Sequence, residues 1–441
     1  MRYFTVVLAV VVAVLACAAP TANATDWPTF HQNTALTGVS PDQGPDTNNF
    51  AWAPFQTGAA ILASPVVADG TIFVGNTAGK FYAVDAATGT QNWMVNMASV
   101  HSTAAVAGGI VHVLDDNGVF HGLDAVTGAE RPGWPLNLGG PGWNWSSPAV
   151  DAGNVFVATA NGLVHSLNAG TGAPNWAVQL NGLIFMPPRP AGPIVGASPN
   201  SMTAVANGKV YAGTHNMFNG APTLLALDEA NGNVLWYYDY YLTHGGTVGM
   251  INCNGATVAE GNAQHPGLEV YFGVFNWPAH DQPPGPVLGP EVVCLDEATG
   301  VELWTANING NSTSTPAVHD GKVFIGSDDG RLYCLDATNA GAVVWSFPTG
   351  GFVMSSPAVA DGKVYFGSLD HTVYCVDEIT GGLVWKYFTG ASRLEGSGAV
   401  VDGFYYTGNE NGNLYAFGVP EPATLSLLAL GGLAVIRRRR R

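Results

Sequence analysis

The chain has 441 residues, of which 47% are hydrophobic, 11% are charged and 57 are glycine. So little charge with so much glycine argues against a coiled coil or a disordered chain and favours many short strands joined by tight turns. Between residues 25 and 419, nine basic residues face 31 acidic ones (9 − 31 = −22), which argues against a nucleic-acid partner because phosphate binding depends on Lys and Arg.

Residues 1–24 predict an export signal. Arg2 precedes an apolar run from Val6 to Ala16, and Ala22-Asn23-Ala24 has the A-x-A pattern of a signal-peptide cleavage site. A second interpretation stays open, in which residues 14–17 form a lipoprotein cleavage box and Cys17 carries a lipid. In both interpretations the chain is exported, and we expect residues 25–419 to form the folded body.

A tryptophan recurs through the body at a nearly constant interval. The successive spacings are 41, 41, 42, 60, 68, 41 and 40 residues. A period near 41 with two longer intervals indicates a repeat array with insertions in its middle. The eight residues, for which we expect a structural role in packing between repeats, are Trp52, Trp93, Trp134, Trp176, Trp236, Trp304, Trp345 and Trp385.

Residues 355–389 show one repeat clearly. The segment divides into four short apolar runs separated by turn residues, among them Asp361-Gly362 and the turn Asp377-Glu378-Ile379-Thr380-Gly381. Four short strands in each repeat of about 40 residues are typical of a β-propeller blade. In the turn, Asp377 and Thr380 can hydrogen-bond the backbone, and Gly381 permits the conformation that the turn needs.

The two ends of the array predict how it closes. Residues 397–419 form a last repeat that lacks its Trp strand, whereas FAWAPFQTG at residues 50–58 is a Trp strand without the three strands before it. The two pieces make one blade, so no repeat is left incomplete. We therefore predict an all-β fold, an eight-bladed propeller of four-stranded antiparallel blades in which an N-terminal strand completes the last blade.

The turn pattern Asp-x-x-Thr-Gly-x-x-x-Trp in an eight-bladed array resembles the PQQ-like propeller repeats over residues 26–419. These occur in quinoprotein dehydrogenases and in the lipoprotein scaffold of the outer-membrane barrel-assembly machine. The opening DWPTFHQNTALTG, residues 26–38, is similar to the leader before such repeats in secreted bacterial relatives. The resemblance implies either a binding scaffold or a dehydrogenase that uses PQQ with calcium.

The cysteines do not favour the enzyme alternative. Many of the quinoprotein enzymes carry an adjacent Cys pair, and no two cysteines are adjacent here. Cys294, Cys334 and Cys375 occupy equivalent positions in successive blades, too far apart for a disulfide, so we expect buried free thiols. We predict no cofactor, and PQQ with calcium remains an alternative.

A ring of residues is expected at the mouth of the central channel, two places before Ser64 and its counterparts. It comprises Leu62, His101, Trp145, Asn200, Thr313, Met354 and Glu395. With one acid, one amide and one His it offers too few oxygen ligands for calcium, so we predict no metal site and no catalytic residue. The binding candidates are His101, Trp145, Asn200, Glu395 and Arg393, which we expect to pair with Glu395. The alternative is a channel lined by mixed side chains and water.

Four longer segments interrupt the repeats. Residues 181–200, 214–222 and 275–290 connect strand ends on one face over neighbouring blades, and residues 254–267 are predicted to be an insertion on the opposite face. Long loops on a rigid scaffold often carry binding function. The loop candidates are His215, Phe218, Trp277, His280 and Asp281.

Residues 420–441 resemble a PEP-CTERM sorting signal. Pro420-Glu421-Pro422 precedes the mostly apolar residues 423–436, and Arg437 to Arg441 follow. Fourteen residues are short for a membrane-spanning helix, which needs about 20, and the arginines favour a cytoplasmic position for that end. The resemblance implies an exosortase partner during export and membrane contact only through this tag or the signal peptide.

These features favour an exported bacterial protein of the cell surface, outer membrane or extracellular matrix. Our first hypothesis is a binding or scaffold protein that recognises a protein or a glycan through the loop-rich face of blades three to five. The alternatives are a PQQ-dependent dehydrogenase with its site at the channel mouth and a glycan-active hydrolase or lyase.

Overall fold

The computed structural model describes residues 26–180, 201–214, 224–244, 248–250, 255–277 and 291–418. Within these ranges there are eight antiparallel sheets of four strands each and one sheet of two strands. The first strands of the eight sheets contact one another in a closed ring, each next to the first strand of the following sheet. The predicted eight-bladed all-β propeller is confirmed. Among the same residues, no helix has the length and hydropathy to cross a membrane.

Strands are numbered along the chain, and β1 (Phe55–Gln56) precedes blade one. Each of blades one to three then uses four consecutive strands. They are β2 (Val66–Ala68), β3 (Thr71–Gly75), β4 (Lys80–Asp85) and β5 (Gln91–Asn96) in blade one; β6 (Ala105–Ala107), β7 (Ile110–Leu114), β8 (Val119–Asp124) and β9 (Leu136–Asn137) in blade two; and β10 (Ala149–Asp151), β11 (Asn154–Ala158), β12 (Leu163–Asn168) and β13 (Pro174–Gln179) in blade three.

Blades four and five contain the longest connections. Between them lie a short helix, α1, and strand β18, which pairs with β21 to form the two-stranded sheet. The elements are β14 (Ala204–Ala206), β15 (Lys209–Gly213), β16 (Leu224–Asp228) and β17 (Val234–Tyr238) in blade four; α1 (Tyr240–Thr243) and β18 (Val248–Met250); and β19 (Thr257–Glu260), β20 (Leu268–Gly273), β21 (Phe275–Trp277), β22 (Val292–Asp296) and β23 (Glu302–Ala306), of which all but β21 form blade five.

Blades six and seven return to the regular pattern, and blade eight has three strands from the end of the chain. The strands are β24 (Ala317–His319), β25 (Lys322–Ser327), β26 (Arg331–Asp336) and β27 (Ala342–Pro348) in blade six; β28 (Ala358–Ala360), β29 (Lys363–Ser368), β30 (Thr372–Asp377) and β31 (Leu383–Phe388) in blade seven; and β32 (Ala399–Val401), β33 (Phe404–Gly408) and β34 (Asn413–Phe417) in blade eight. A 3-10 turn, Ala337–Asn339, follows β26.

Blade eight closes the ring as the sequence predicts. β1 pairs antiparallel with β34, so that Phe55 lies opposite Leu414 and Gln56 opposite Asn413. A further bridge joins Phe50 to Phe417. The first strand of the chain therefore supplies the outer strand of the last blade, and every blade has four strands.

The propeller has two distinct faces, because neighbouring strands in each blade run in opposite directions. The links from first to second strand and from third to fourth strand lie on one face, which we call the turn face. In blade one these links meet, since the amide of Ala86 donates to the Gly70 carbonyl at 2.9 Å. The links from second to third strand and from one blade to the next lie on the opposite face, which we call the mouth face.

The repeated tryptophans contact the turn of the next blade. Gly381 of blade seven has a positive φ of 68°, and a Cβ there would lie 2.6 Å from the Trp345 ring. Six of the indole N–H groups donate to a backbone carbonyl at 2.9–3.1 Å: Trp52 to Ala86, Trp93 to Ala125, Trp176 to Glu229, Trp236 to Glu297, Trp345 to Glu378 and Trp385 to Pro45. The N–H groups of Trp134 and Trp304 are buried without a hydrogen-bond partner in the described part of the chain.

The N-terminal segment, residues 26–43, fills the central channel, and we call it the plug. Trp27 exchanges two hydrogen bonds with Val67 of blade one, and the amides of Val106, Val205, Val258, Val318 and Val359 donate to plug carbonyls at 2.7–3.0 Å. Those residues lie in the first strands of blades two, four, five, six and seven. The unpaired inner edges of the blades thus find partners in the plug.

Blade five corrects one prediction. Residues 254–267 are not an insertion throughout, because residues 257–260 form β19, the first strand of this blade, paired with β20. Gly and polar residues around this short apolar run hide its strand pattern. Only the turn after β19 is longer than in the other blades, and it lies on the turn face, opposite the other long segments.

Cys294, Cys334 and Cys375 are free and fully buried. Each lies in the third strand of its blade, as the sequence predicts. Burial raises the pKa of the Cys334 thiol to about 12 and that of Cys375 to about 12. These thiols therefore behave as small apolar groups. Cys17 and Cys253 lie outside the described residues.

Candidate binding site at the channel mouth

A cavity of about 100 Å³ lies at the channel mouth. Its walls come from seven blades and its floor from the plug, and six of the residues expected in the mouth ring line it. The lining residues are Phe30, Leu62, Ser64, His101, Thr103, Trp145, Met202, Thr313, Met354, Ser356, Glu395, Gly396 and Ser397. The repeat register therefore brings together side chains that lie up to 333 residues apart in the sequence (395 − 62 = 333).

The plug sets the depth of the cavity. Phe30, a residue of the plug, is buried at the floor of the cavity, and the next residue, His31, is 2% exposed. His31 Nδ1 lies 2.6 Å from the Leu36 carbonyl oxygen and Nε2 lies 2.8 Å from that of Pro357 in blade seven. These contacts hold the tip of the plug in place. The plug thus forms the floor of the cavity through Phe30, and we call the cavity the cup.

A belt of hydroxyl groups surrounds the cup and joins neighbouring blades. In each link a backbone N–H donates to the Ser or Thr oxygen at the equivalent place of the next blade, at 2.7–3.0 Å. The links are Ser64 to Thr103, Thr103 to Ser147, Gly255 to Thr315, Thr315 to Ser356, Ser356 to Ser397 and Ser397 to Ser64. The repeated Ser-Pro and Thr-Pro steps were a sequence signal for this belt, which sequence reasoning used only for alignment.

His101 is held in a fixed orientation on one side of the cup. Its Nδ1 lies 2.7 Å from Asp116 Oδ2. The other carboxylate oxygen of Asp116 accepts the amide of Asn144 at 3.1 Å. The imidazole ring packs against Trp145 (centroids 4.8 Å apart) and against the exposed Trp143 (6.0 Å). Asp116 and Trp143 lie in a hairpin turn and a blade link whose side-chain directions do not follow from the repeat, and sequence reasoning missed both.

Glu395 also lines the cup, and a second carboxyl group, Glu410, lies close enough to interact with it. Burial and the neighbouring Glu410 charge raise the pKa of Glu395, while Arg393 and His101 oppose that rise. Arg393, which we expect to pair with Glu395, is exposed, and its charge lowers the pKa of Glu395. A carboxyl pair that retains a proton can both donate and accept hydrogen bonds.

The remaining candidates lie elsewhere. Asn200, His215, Phe218, His280 and Asp281 fall outside the described residues. Trp277 ends β21, whose backbone pairs with β18 on the mouth face, but its side chain is not described. The strands that flank residues 181–200, 215–223 and 278–290 all end on the mouth face. These three segments therefore attach on the same face as the cup.

The cup does not fit PQQ with calcium. Calcium takes six to eight oxygen ligands, preferably from several carboxylates. Glu395 is the single carboxylate in the lining, and its raised pKa opposes the charged form that a metal needs. In the described part of the chain no group of three or more His, Cys, Asp or Glu residues could hold a metal ion.

Two family profiles match the chain. One, described as outer membrane protein assembly factor BamB, matches residues 32–131, 131–263 and 289–419. The other, described as the PEP-CTERM protein-sorting motif, matches residues 418–441 and confirms the predicted tag. In bacteria this motif marks export to the cell surface or the extracellular space, which confirms the predicted localisation. No curated protein matches the chain significantly.

Solved structures share the fold. A europium-containing methanol dehydrogenase has a TM-score of 0.66 at 16% identity, with 87% of this chain and 90% of that one covered. A quinohemoprotein alcohol dehydrogenase from Comamonas testosteroni has a TM-score of 0.65 at 18% identity, covering 90% and 82%. A computationally designed protein, Ika8, has a TM-score of 0.62 at 15% identity, covering 84% and 99%. At these identities the likeness concerns the fold alone.

Proposed function

The chain belongs to the PQQ-like repeat family described as outer membrane protein assembly factor BamB, and from this premise we propose that it is an exported binding protein whose mouth face recognises a glycan. The cup at the channel mouth receives part of one sugar unit, and the mouth-face loops extend the contact. Exosortase is the partner that the sorting tag implies during export.

The observation that carries this proposal is the combination of Trp145, His101 and the Glu395–Glu410 pair around one cup. A sugar ring has apolar C–H faces, which suit the flat face of an indole, and hydroxyl groups, which suit a group that donates and accepts. Asp116 holds His101 at 2.7 Å, so the site is preorganised. A cavity of about 100 Å³ is smaller than an ordinary ligand pocket of roughly 300–1,000 Å³, so it receives only part of one sugar unit, and the rest of the glycan stays outside.

The loops attached to the mouth face give the proposal its second part. Residues 181–200, 215–223 and 278–290 lie between strands whose ends surround this face over blades three to five. We propose that His215, Phe218, Trp277, His280 and Asp281 extend the surface that meets the glycan. Long connections on a rigid scaffold are common binding elements.

Neither enzyme alternative gains support from the cup. The lining does not fit PQQ with calcium, so no dehydrogenase step is derived. A glycoside hydrolase usually needs two carboxyl groups about 5–9.5 Å apart on opposite sides of the bond. Glu395 is instead the single carboxyl group in the lining, and Glu410 interacts closely with it from outside the lining. This arrangement suits binding better than glycosidic cleavage.

Binding to an array of defined oligosaccharides and bacterial surface polysaccharides tests the proposal with the full chain. We expect Trp145→Ala and Glu395→Gln each to weaken binding about tenfold or more, which is about 1.4 kcal/mol. Phe388→Ala is the matched control, because Phe388 is a 62% exposed aromatic residue at the outer strand of blade seven. Equal thermal unfolding of all variants establishes that they fold.

Deletion of residues 278–290 tests the loop contribution and should weaken polysaccharide binding more than binding of a single sugar. Absence of binding to every glycan, or full binding by both cup variants, would overturn the proposal. Turnover of a bound oligosaccharide would replace it with the hydrolase or lyase alternative.

A further inference from the structure

Both ends of the described chain leave the propeller on its turn face. At the start, Asp26 accepts the amide of Asp69 in the first turn of blade one, at 3.0 Å. At the end, Phe417 pairs with Tyr405 beside the first turn of blade eight, and Gly418 donates to the Asn49 carbonyl at 2.8 Å. Blades one and eight are neighbours. The sorting tag therefore starts from the turn face, opposite the cup.

The tether between the propeller and the tag is short. Residues 419–422 are four residues, two of them proline, between Gly418 and the apolar residues 423–436. Even when fully extended, four residues span at most roughly 14 Å. Strands of five or six residues give the propeller a thickness of roughly 20 Å. While the apolar segment is in a bilayer, the mouth face of blade eight is thus too far away to touch it.

The tips of the turn face suit contact with a neutral surface. The second residue after the Asp of the third-to-fourth-strand turn is small or apolar and exposed in five blades: Ala87, Val126, Ala230, Ala298 and Ile379. Val126 is 83% exposed and Ile379 is 69% exposed. These tips are spread around the ring, and the first-to-second-strand turns of the same face carry the exposed acids Asp69, Asp320, Asp361 and Asp402, which disfavour an anionic surface. A body with a formal charge near −22 disfavours an anionic surface.

We propose that, while the C-terminal tag is in the membrane, the turn face lies on the bilayer and the cup and mouth-face loops point away from it. The surface it fits is a neutral lipid surface. The orientation follows from where the chain leaves the fold and how short the tether is. It is independent of the identity of any ligand in the cup.

Site-specific fluorescence quenching tests this orientation. The full chain with Cys17→Ser and Cys253→Ser is inserted into phosphatidylcholine vesicles that carry a headgroup quencher, and a dye is attached at Ile379→Cys or Phe352→Cys. Cys294, Cys334 and Cys375 are buried and should not react. Ile379 marks the turn face, and Phe352, 42% exposed in the link between blades six and seven, marks the mouth face. We expect quenching several-fold stronger at Ile379→Cys.

Two controls distinguish an orientation that the short tether imposes from adhesion of the propeller itself to the lipid. A flexible spacer of about 20 Gly and Ser residues after Gly418 should abolish the difference between the two dyes, because it spans the thickness of the propeller. A chain that ends at Gly418 should show no quenching at either position. Equal or reversed quenching in the full chain, or quenching that persists without the tag, would overturn the proposal.

Discussion

The turn face and the mouth face are built from the same repeats but follow different rules. On the turn face most blades use nearly the same short turn, in which an Asp oxygen accepts the Thr amide and hydroxyl; in blade seven these are Asp377 and Thr380, both at 2.7 Å. On the mouth face the connections vary in length and chemistry. The turns of the turn face determine how neighbouring blades pack. The connections on the mouth face can therefore vary in length and chemistry without changing that packing.

Individual acidic groups on the two faces can lie in opposite electrostatic environments. On the turn face, the hydrogen bonds from Thr380 lower the pKa of the exposed Asp377. On the mouth side, burial raises the pKa of Glu291, at the start of β22, to about 7. Asp377 is therefore stabilised as a charged group, whereas Glu291 and Glu395 tend to keep a proton. Shifted pKa values of this kind are more common at functional positions of a protein than at purely structural ones.

The largest effect should come from removing a contact between blades. Trp385 is 7% exposed, and its indole donates to the Pro45 carbonyl at 2.9 Å. Trp385→Ala should lower the free energy of unfolding by roughly 3–5 kcal/mol, because it leaves a cavity. Trp143→Ala on the mouth face is the control, since Trp143 is 72% exposed and should change stability by no more than about 0.5 kcal/mol. Equal losses in urea unfolding would contradict the assigned role of the repeated Trp.

The next effect is on the pH dependence of stability, and it tests the difference between Glu291 and Asp377. Glu291 is 1% exposed, and its pKa is about 7 in the folded protein against 4.5 ordinarily. Between pH 4.5 and pH 7 this carboxyl group is therefore protonated more often in the folded than in the unfolded chain. The free energy of unfolding should therefore fall as pH rises from about 4.5 to 7, by roughly 3 kcal/mol from this group, and then stay level. Glu291→Gln should remove that fall while keeping an oxygen for the Ile308 amide.

The measurement is urea unfolding of both proteins between pH 5 and pH 8. Asp377→Asn is the control, because a carboxyl whose pKa is lowered contributes stability that is lost only below its ordinary range. Parallel pH curves for the native protein and Glu291→Gln would show that Glu291 ionises normally.

A smaller effect on stability measures the contact between Gly381 in the turn of blade seven and the Trp345 ring of blade six. Gly381 and Gly362 lie in blade seven with φ of 68° and 70°, but a Cβ at Gly381 would meet the Trp345 ring at 2.6 Å, whereas nothing lies within 4 Å at Gly362. Both substitutions to Ala cost the left-handed conformation, roughly 1–2 kcal/mol. Gly381→Ala should cost roughly 1–3 kcal/mol more, from overpacking. Equal midpoints in urea unfolding would mean that Trp345 moves away without cost.

Part of the cup could be predicted because the repeats share a register. Counting back from equivalent turns placed His101, Trp145 and Glu395 at one level, and they line one cavity. The partners Asp116 and Glu410 could not be found in this way. Both lie in links between second and third strands, where side-chain directions depend on the neighbouring blade and not on strand alternation.

The amino-acid sequence alone was sufficient for the blade count, the closure by residues 50–58 and the sorting tag. These depend on local turn chemistry, on a period that repeats and on an ordered terminal pattern. Three features needed the folded ring: the plug of residues 26–43, the hydroxyl belt and the pairing of Glu395 with Glu410. The reason is that the inner edges of the blades, and the space between them, come into existence only when all eight blades have closed.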